Sequence, residues 1–380
     1  MKKKLSLVLT MIMIISSFTS FANEDMKLSS KSAILIDANS GTILYEKNSH
    51  EKLPPASVTK IMSMLLTMEA LSEGRIKLDD KVTISEKASS MGGSQLFLEP
   101  GEVKTVDELI KGIAVASAND GCVAMAEHIY GSEEAFVKKM NEKAQELGMK
   151  DTHFANTNGL PVEDHYTSAY DISLMSKELI KHKDIHKYLK IWMDEIIVGK
   201  KQKKIGLVNT NKLIRFYKGA NGIKTGFTNE AKFCLSASAT RNDLTLIAVV
   251  LGAPSSKERF NEASSLLNYG FANYETVKIY DQGQAVKKIK LEKADPENIE
   301  LTCEKPLYYL NKKGDKKDFS KKIVIDENFK FPIKKGQKIG EVQIYKDKKV
   351  VMKSNLVSNK DIKKAGYIKM LNKVLNSIFN

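Results

Sequence analysis

The chain has 380 residues, of which 42% are hydrophobic and 28% charged, and it carries a formal net charge of +14. That balance excludes a disordered or collagen-like chain, and the length exceeds one usual core, so a large domain with a smaller companion is expected. Its three cysteines, Cys122, Cys234 and Cys303, are odd in number and far apart, which argues against a disulfide framework and for thiols packed as small hydrophobes.

The sequence opens with Met1-Lys2-Lys3-Lys4, is apolar over 5–15 and reaches Ser20-x-Ala22. This is the pattern of a secretory signal peptide over 1–22, too short to span a bilayer comfortably, with the mature chain starting at Asn23. Residues 32–37 and 42–46 flank Asn39-Ser40-Gly41 and predict a β-hairpin. Pro54-Pro55-Ala56-Ser57-Val58-Thr59-Lys60 then leads a run to Leu71 that is apolar nearly all round, which predicts a buried helix with Ser57 at its cap. Residues 75–112 carry mixed signals, with a loop at 89–94 and a helix near 106–110. Helical spacing dominates 120–147 and returns at 168–182, and Thr157-Asn158-Gly159-Leu160-Pro161 reads as a loop. This middle region is therefore expected to be a mainly helical insertion.

After Gly206 the pattern turns to β, at 223–227, 232–239 and 244–251, the last two joined by a turn at Arg241-Asn242-Asp243. A helix at 257–269 closes the first domain, expected to span 23–274. Short β-rich runs at 277–280, 299–302, 323–325 and 342–345 predict a small all-β domain over 275–358. Residues 276–380 hold 25 lysines, no arginine and 13 acidic residues, so +12 of the chain's +14 lies there. Without arginine for forked contacts, this tail argues against nucleic-acid recognition and for diffuse attraction to an anionic surface, although a solubilising lysine coat has the same composition. Over 359–380, Tyr367, Ile368, Leu371, Val374, Leu375 and Ile378 share one helical side, and Lys363, Lys364, Lys369 and Lys373 lie largely on the other. That is the pattern of an amphipathic, membrane-associating helix, and the same pattern would also serve a helix docked on its own domain.

The chemistry gathers at three short motifs. Ser57 and Lys60 stand three apart where a buried helix begins, so they meet on one face, and an amine held away from water loses proton affinity and becomes a base for the hydroxyl. Alone this is a weak signal, since Ser49-His50-Glu51-Lys52 has the same spacing, but that match is polar and runs into two prolines. Ser117-Ala118-Asn119 supplies a hydroxyl to relay a proton to a departing amine and an amide to hold substrate backbone or the lysines. In Lys224-Thr225-Gly226, the lysine and threonine suit an anionic substrate terminus and the glycine lets substrate lie against a strand. The backbone N–H groups of Ser57 and Phe227 are the expected oxyanion hole.

In this order the three motifs are those of penicillin-binding proteins and class A β-lactamases. The whole chain resembles a low-molecular-mass penicillin-binding protein, a serine-type D-alanyl-D-alanine carboxypeptidase, through Ala-Ser-Val-Thr-Lys, Ala-Ser-Ala-Asn-Asp and Gly-Ile-Lys-Thr-Gly-Phe-Thr. Val208-Asn209-Thr210-Asn211, Thr157-Asn158-Gly159-Leu160-Pro161 and Gly252-Ala253-Pro254 resemble a Gram-positive, sporulation-associated branch. The resemblance implies an α/β (α+β) β-lactamase/transpeptidase-like fold: an antiparallel sheet flanked by helices with a helical subdomain, then the β domain and tail helix. It implies Ser57, Lys60 and Ser117 as catalytic, and Asn119, Lys224, Thr225, Gly226 and Phe227 as substrate-binding. The expected substrate is the D-Ala-D-Ala end of a peptidoglycan stem peptide outside the cell membrane, with β-lactams acylating Ser57, no metal or organic cofactor, and peripheral membrane contact. Asn221 departs from the Asp-Gly that many relatives carry before this strand. Three alternatives stay open: a cross-link-cleaving endopeptidase, a non-catalytic β-lactam sensor, and a β-lactamase. The last lacks a Glu-x-x-x-Asn loop, Glu163 being the nearest carboxylate.

Overall fold

The computed structural model describes residues 26–326 and 329–371; the expected signal peptide lies outside them. β1 (Ser32–Asp37) and β2 (Ile43–Lys47) form the expected antiparallel hairpin, with Ala33 opposite Lys47. They join β7 (Ala220–Thr228), β8 (Lys232–Arg241) and β9 (Leu244–Ala253) in a five-stranded antiparallel sheet of order β2-β1-β9-β8-β7. Both faces are covered. Ile34, Ile36, Ile247 and Val249 pack toward α1 (Lys60–Ser72) and α6 (Ala169–Leu179), while Ala33, Leu35, Leu246 and Ala248 pack toward α9 (Ser256–Asn273). Successive side chains point to opposite faces, so a strand buried on both sides reads as an unbroken apolar run, as β1 and β9 do.

The segment between β2 and β7 carries α2 (Glu86–Ser89), α3 (Val106–Lys111), α4 (Asn119–Tyr130), α5 (Glu133–Glu146), α6, α7 (His186–Leu189) and α8 (Leu213–Phe216). Two small hairpins interrupt it: β3 (Lys81–Thr83) with β4 (Val103–Thr105), and β5 (Met193–Val198) with β6 (Lys203–Val208). Thr105 starts α3 with a capping box to Glu108, and Ser132, Ser168 and Ser255 cap α5, α6 and α9.

Beyond α9 come β10 (Tyr274–Tyr280), β11 (Ala285–Lys290), β12 (Ala294–Asp295), β13 (Asn298–Cys303), β14 (Leu307–Lys312), β15 (Ser320–Ile325), β16 (Lys338–Lys346), β17 (Lys349–Ser358) and β18 (Lys363–Lys364). One sheet runs β11-β13-β17-β16-β15 around a core of Ile299, Leu301, Ile339, Val342, Ile344 and Leu356. The expected tail helix begins later than its pattern suggests. Ile362 bridges to Ile333 and Lys363–Lys364 pair with Ala294–Asp295, so among the described residues helix begins only at Tyr367. The pairing uses backbone groups some 70 residues apart, which helical periodicity does not register.

Candidate active site

The stretch from Ala56 to Thr59 is a 3-10 turn that feeds directly into α1 at Lys60. Ser57 is therefore inside this turn and caps nothing, contrary to expectation: no side-chain capping bond is made at either start. Its hydroxyl is instead the partner of Lys60, whose Nζ lies 3.0 Å away. Lys60 is fully buried and also reaches the Asn119 Oδ1 and the Asn158 carbonyl oxygen, each at 2.6 Å. Burial pulls its pKa down to about 8, with Cys122 and Asp120 opposing the shift. A neutral amine has two N–H donors and one lone pair; two carbonyl oxygens occupy the donors, and the lone pair is left for the Ser57 O–H.

Asn119 opens α4 and is held at both ends of its amide, the Nδ2 donating to Gly92 O at 2.6 Å. Of its two expected uses, the structure shows the second, holding a lysine. Ser117, two residues earlier, is 3% exposed and left-handed at φ 65, at the end of a π turn spanning Gly112–Ala116. Among the described residues its hydroxyl has no hydrogen-bond partner. The next residue along α4, Asp120, is fully buried and accepts from the N–H groups of Leu96 (2.9 Å), Leu98 (3.2 Å) and Gly121 (2.8 Å), which stitches the loop carrying Gly92 to the same helix start.

β7 is the edge strand on the other side of the cleft. A Cβ added at Gly226 would stand 2.8 Å from Pro55 O and 3.1 Å from Ser57 N, so only glycine lets this strand lie so close to the turn that holds Ser57. Arg259, from α9, donates to Gly226 O (3.0 Å) and Cys234 O (3.2 Å). In a planar trans peptide the next N–H points opposite to that carbonyl, so the Phe227 N–H is aimed away from Arg259, to the Ser57 side. Lys224 is also buried; lost hydration, then the nearby Lys60 charge, pushes its pKa well down. Thr225 Oγ1 donates to Thr210 Oγ1 at 2.7 Å. The Phe227 ring is half exposed and stacks on Phe233 with centroids 4.4 Å apart.

The structure thus brings Ser57, Lys60 and Asn119 into direct contact and sets Gly226 and Phe227 alongside. Four supporting residues escaped the sequence reading: Asn158 through its backbone carbonyl, Thr210, Arg259 and His165. His165 receives the Ala155 N–H at Nδ1 and donates from Nε2 to Thr59 Oγ1, and burial lowers its pKa to about 4, so it is a neutral strut. Glu163, the carboxylate weighed for a β-lactamase, is exposed. Asn221 accepts from Ser238 Oγ and donates to Thr240 Oγ1, bonds that tie β7 to β8. Cys122 is buried and its thiol is pushed up to about 12, which makes it inert.

Comparison with known proteins places this geometry. The family described as D-alanyl-D-alanine carboxypeptidase matches residues 19–255, and that described as penicillin-binding protein 5, C-terminal domain, matches residues 274–364. D-alanyl-D-alanine carboxypeptidase DacF of Bacillus subtilis is 50% identical over 383 residues, covering 99% of this chain and 98% of that protein. D-alanyl-D-alanine carboxypeptidase DacA of Escherichia coli is 34% identical, over 90% of this chain and 85% of that one. Among solved structures, penicillin binding protein 5 from Haemophilus influenzae superposes with a TM-score of 0.71 at 32% identity, covering 89% of this chain and 98% of that one.

Proposed function

The chain belongs to the D-alanyl-D-alanine carboxypeptidase family of serine hydrolases, and from that membership we propose that Ser57, Lys60 and Ser117 are its catalytic residues and that Asn119, Lys224, Thr225, Gly226 and Phe227 shape its substrate cleft. The enzyme is a serine D-Ala-D-Ala carboxypeptidase with a penicillin-binding-protein fold. The observation that carries the residue assignment is the Lys60 amine, buried, lowered toward neutrality and fixed 3.0 Å from the Ser57 hydroxyl.

A stem peptide lies along the open edge of β7, its terminal carboxylate near Lys224 and Thr225. That carboxylate restores the charged form of Lys224 and competes with Thr210 for the Thr225 hydroxyl. Ser57 Oγ attacks the penultimate D-Ala carbonyl carbon while its proton passes to Lys60. The oxyanion forms between the N–H groups of Ser57 and Phe227. The C–N bond then breaks, Ser117 passes a proton to the leaving amine, and terminal D-Ala departs. Water attacks the ester on Ser57, giving the shortened peptide and free enzyme. A β-lactam follows the first step, but its leaving amine stays tethered. Intact-mass measurement after penicillin treatment tests the assignment: one adduct per chain, located on Ser57, is expected, and an adduct elsewhere refutes it.

The same reading puts the enzyme outside the cytoplasmic membrane, at the cell wall. Peripheral attachment through residues 359–380 is supported by the exposed apolar side chains of Tyr367, Ile368 and Leu371. Among the described residues no helix is long and apolar enough to cross a membrane. Removing residues 366–380 is expected to release the protein from anionic vesicles without changing D-Ala release; unchanged vesicle binding refutes the attachment.

A further inference from the structure

The sheet has two edges, and the catalytic cleft uses one. At the opposite edge, four strand spacings or about 19 Å away, β2 forms one wall of a cleft of 1860 Å³ whose other wall is β14 and β17 of the C-terminal region. Lysines outnumber acids on its lining: five stand against Glu46 and Asp315. Three of the five, Lys183, Lys305 and Lys312, are exposed and make no ion pair among the described residues, so their charge is available. The same lining holds a half-buried tyrosine, Tyr308, and the exposed apolar side chain of Ile43. β2 adds an open strand edge, a row of main-chain donors and acceptors.

A ligand for this surface needs negative charge spaced along an extended body, flat apolar faces for an aromatic ring and amide groups for a strand edge. An acetamido-sugar polymer bearing carboxylates has all three. Resting on the carboxypeptidase reading, which sets the protein to work on a wall polymer, we propose that this cleft is a second, non-catalytic site that binds that polymer's glycan strand where stem peptides have been removed and the sugar carboxylates they had masked are free. Occupancy there leaves the β7 edge free, so one polymer is held at one edge of the sheet while its peptides are processed at the other. The lining holds lysine and no arginine: compact, hydrated ammonium groups suit a sliding, salt-sensitive hold rather than a forked, register-specific one.

The test uses the exported full chain and fluorescently end-labelled glycan strands from which an amidase has removed every stem peptide. The parent is compared with a Lys183→Glu/Lys305→Glu/Lys312→Glu variant and with Tyr308→Ala. Strand binding by the parent, weakened about tenfold or more in the triple variant and by added salt, is expected. D-Ala release from a short soluble pentapeptide should stay within about twofold of the parent in both variants, since the substituted side chains lie far from the catalytic cleft. Release from wall polymer that carries both pentapeptides and stripped stretches should fall through a higher KM. Equal strand binding by all three proteins overturns the proposal, as does binding of a poly(glycerol phosphate) chain or an anionic vesicle in place of the stripped strands. Failure of the parent to cleave the short peptide would instead overturn the carboxypeptidase reading, because strand binding needs no catalysis.

Discussion

Lys60 and Ser57 are joined at 3.0 Å in a pocket where the lysine has no contact with solvent. The same burial that lowers its proton affinity makes it useful as a base. Below pH 8 the amine is largely charged and cannot accept the serine proton; above it, the neutral form dominates. The second-order rate of penicillin acylation is therefore expected to rise with pH through a pKa of about 8 and then level. Stopped-flow acylation from pH 6 to 10 checks this, and a rate that is flat or falls across that range contradicts it.

Replacing Lys60 by methionine removes the base but keeps the bulk. Acylation should fall by about 10²–10⁴-fold, the range for losing a positioned general base. Near-native circular dichroism would show that the loss is chemical rather than a failure to fold.

Gly226→Ala tests the close approach of β7 to the Ser57 turn. The new methyl would meet Pro55 O at 2.8 Å and Ser57 N at 3.1 Å, so strand and turn must separate. A displacement of that kind is expected to slow acylation by about 10²-fold with a small change in melting temperature. Acylation at the parental rate would show that the strand position is not critical.

Gly159→Ala acts on the other side of the turn. Its φ is +86, and a Cβ would overlap Ala56 O at 1.9 Å, so strain and clash combine. A loss of at least about 1–3 kcal/mol in urea unfolding is expected, together with slower acylation because Ala56 precedes the nucleophile.

Arg259→Lys probes the link between α9 and the cleft. One guanidinium nitrogen serves both Gly226 O and Cys234 O, and the ammonium of a shorter lysine side chain does not reach the same point between them. Leaving buried carbonyls underserved is expected to cost about 1–3 kcal/mol. A change in kcat for D-Ala release with KM held would mark Arg259 as positioning the oxyanion hole rather than the substrate.

Much of this site is legible in the residues because its catalytic contacts are local or lie in short motifs. Ser57 and Lys60 are three apart on one turn, and a run of apolar residues around a lysine signals its desolvation from the sequence alone. The strands β1 and β9 declare themselves because burial on both faces makes them continuous apolar runs. What stayed hidden depends on long-range backbone geometry. The Asn158 carbonyl has no side-chain signature, and Thr210 meets Thr225 only because the segment after β6 folds back on β7. The 3-10 turn at Ser57 looks like a helix start, since the same small residues suit both. β11 does not declare itself, because Lys287 and Lys288 interrupt the apolar alternation on a largely exposed strand, and in β17 Lys349 and Lys353 do the same to its exposed first half. Residues 360–366 carry helical spacing yet are drawn into bridges with Ile333 and β12.

The most direct test of the central claim is D-Ala release from a peptide ending in D-Ala-D-Ala, measured side by side for the parent and Ser57→Ala, with labelled penicillin added to parallel samples. The parent alone is expected to release D-Ala and to take the label. Release or labelling by Ser57→Ala would contradict the assignment of Ser57 as nucleophile, and a labelled parent that releases no D-Ala from this or a cross-linked peptide would contradict the carboxypeptidase mechanism.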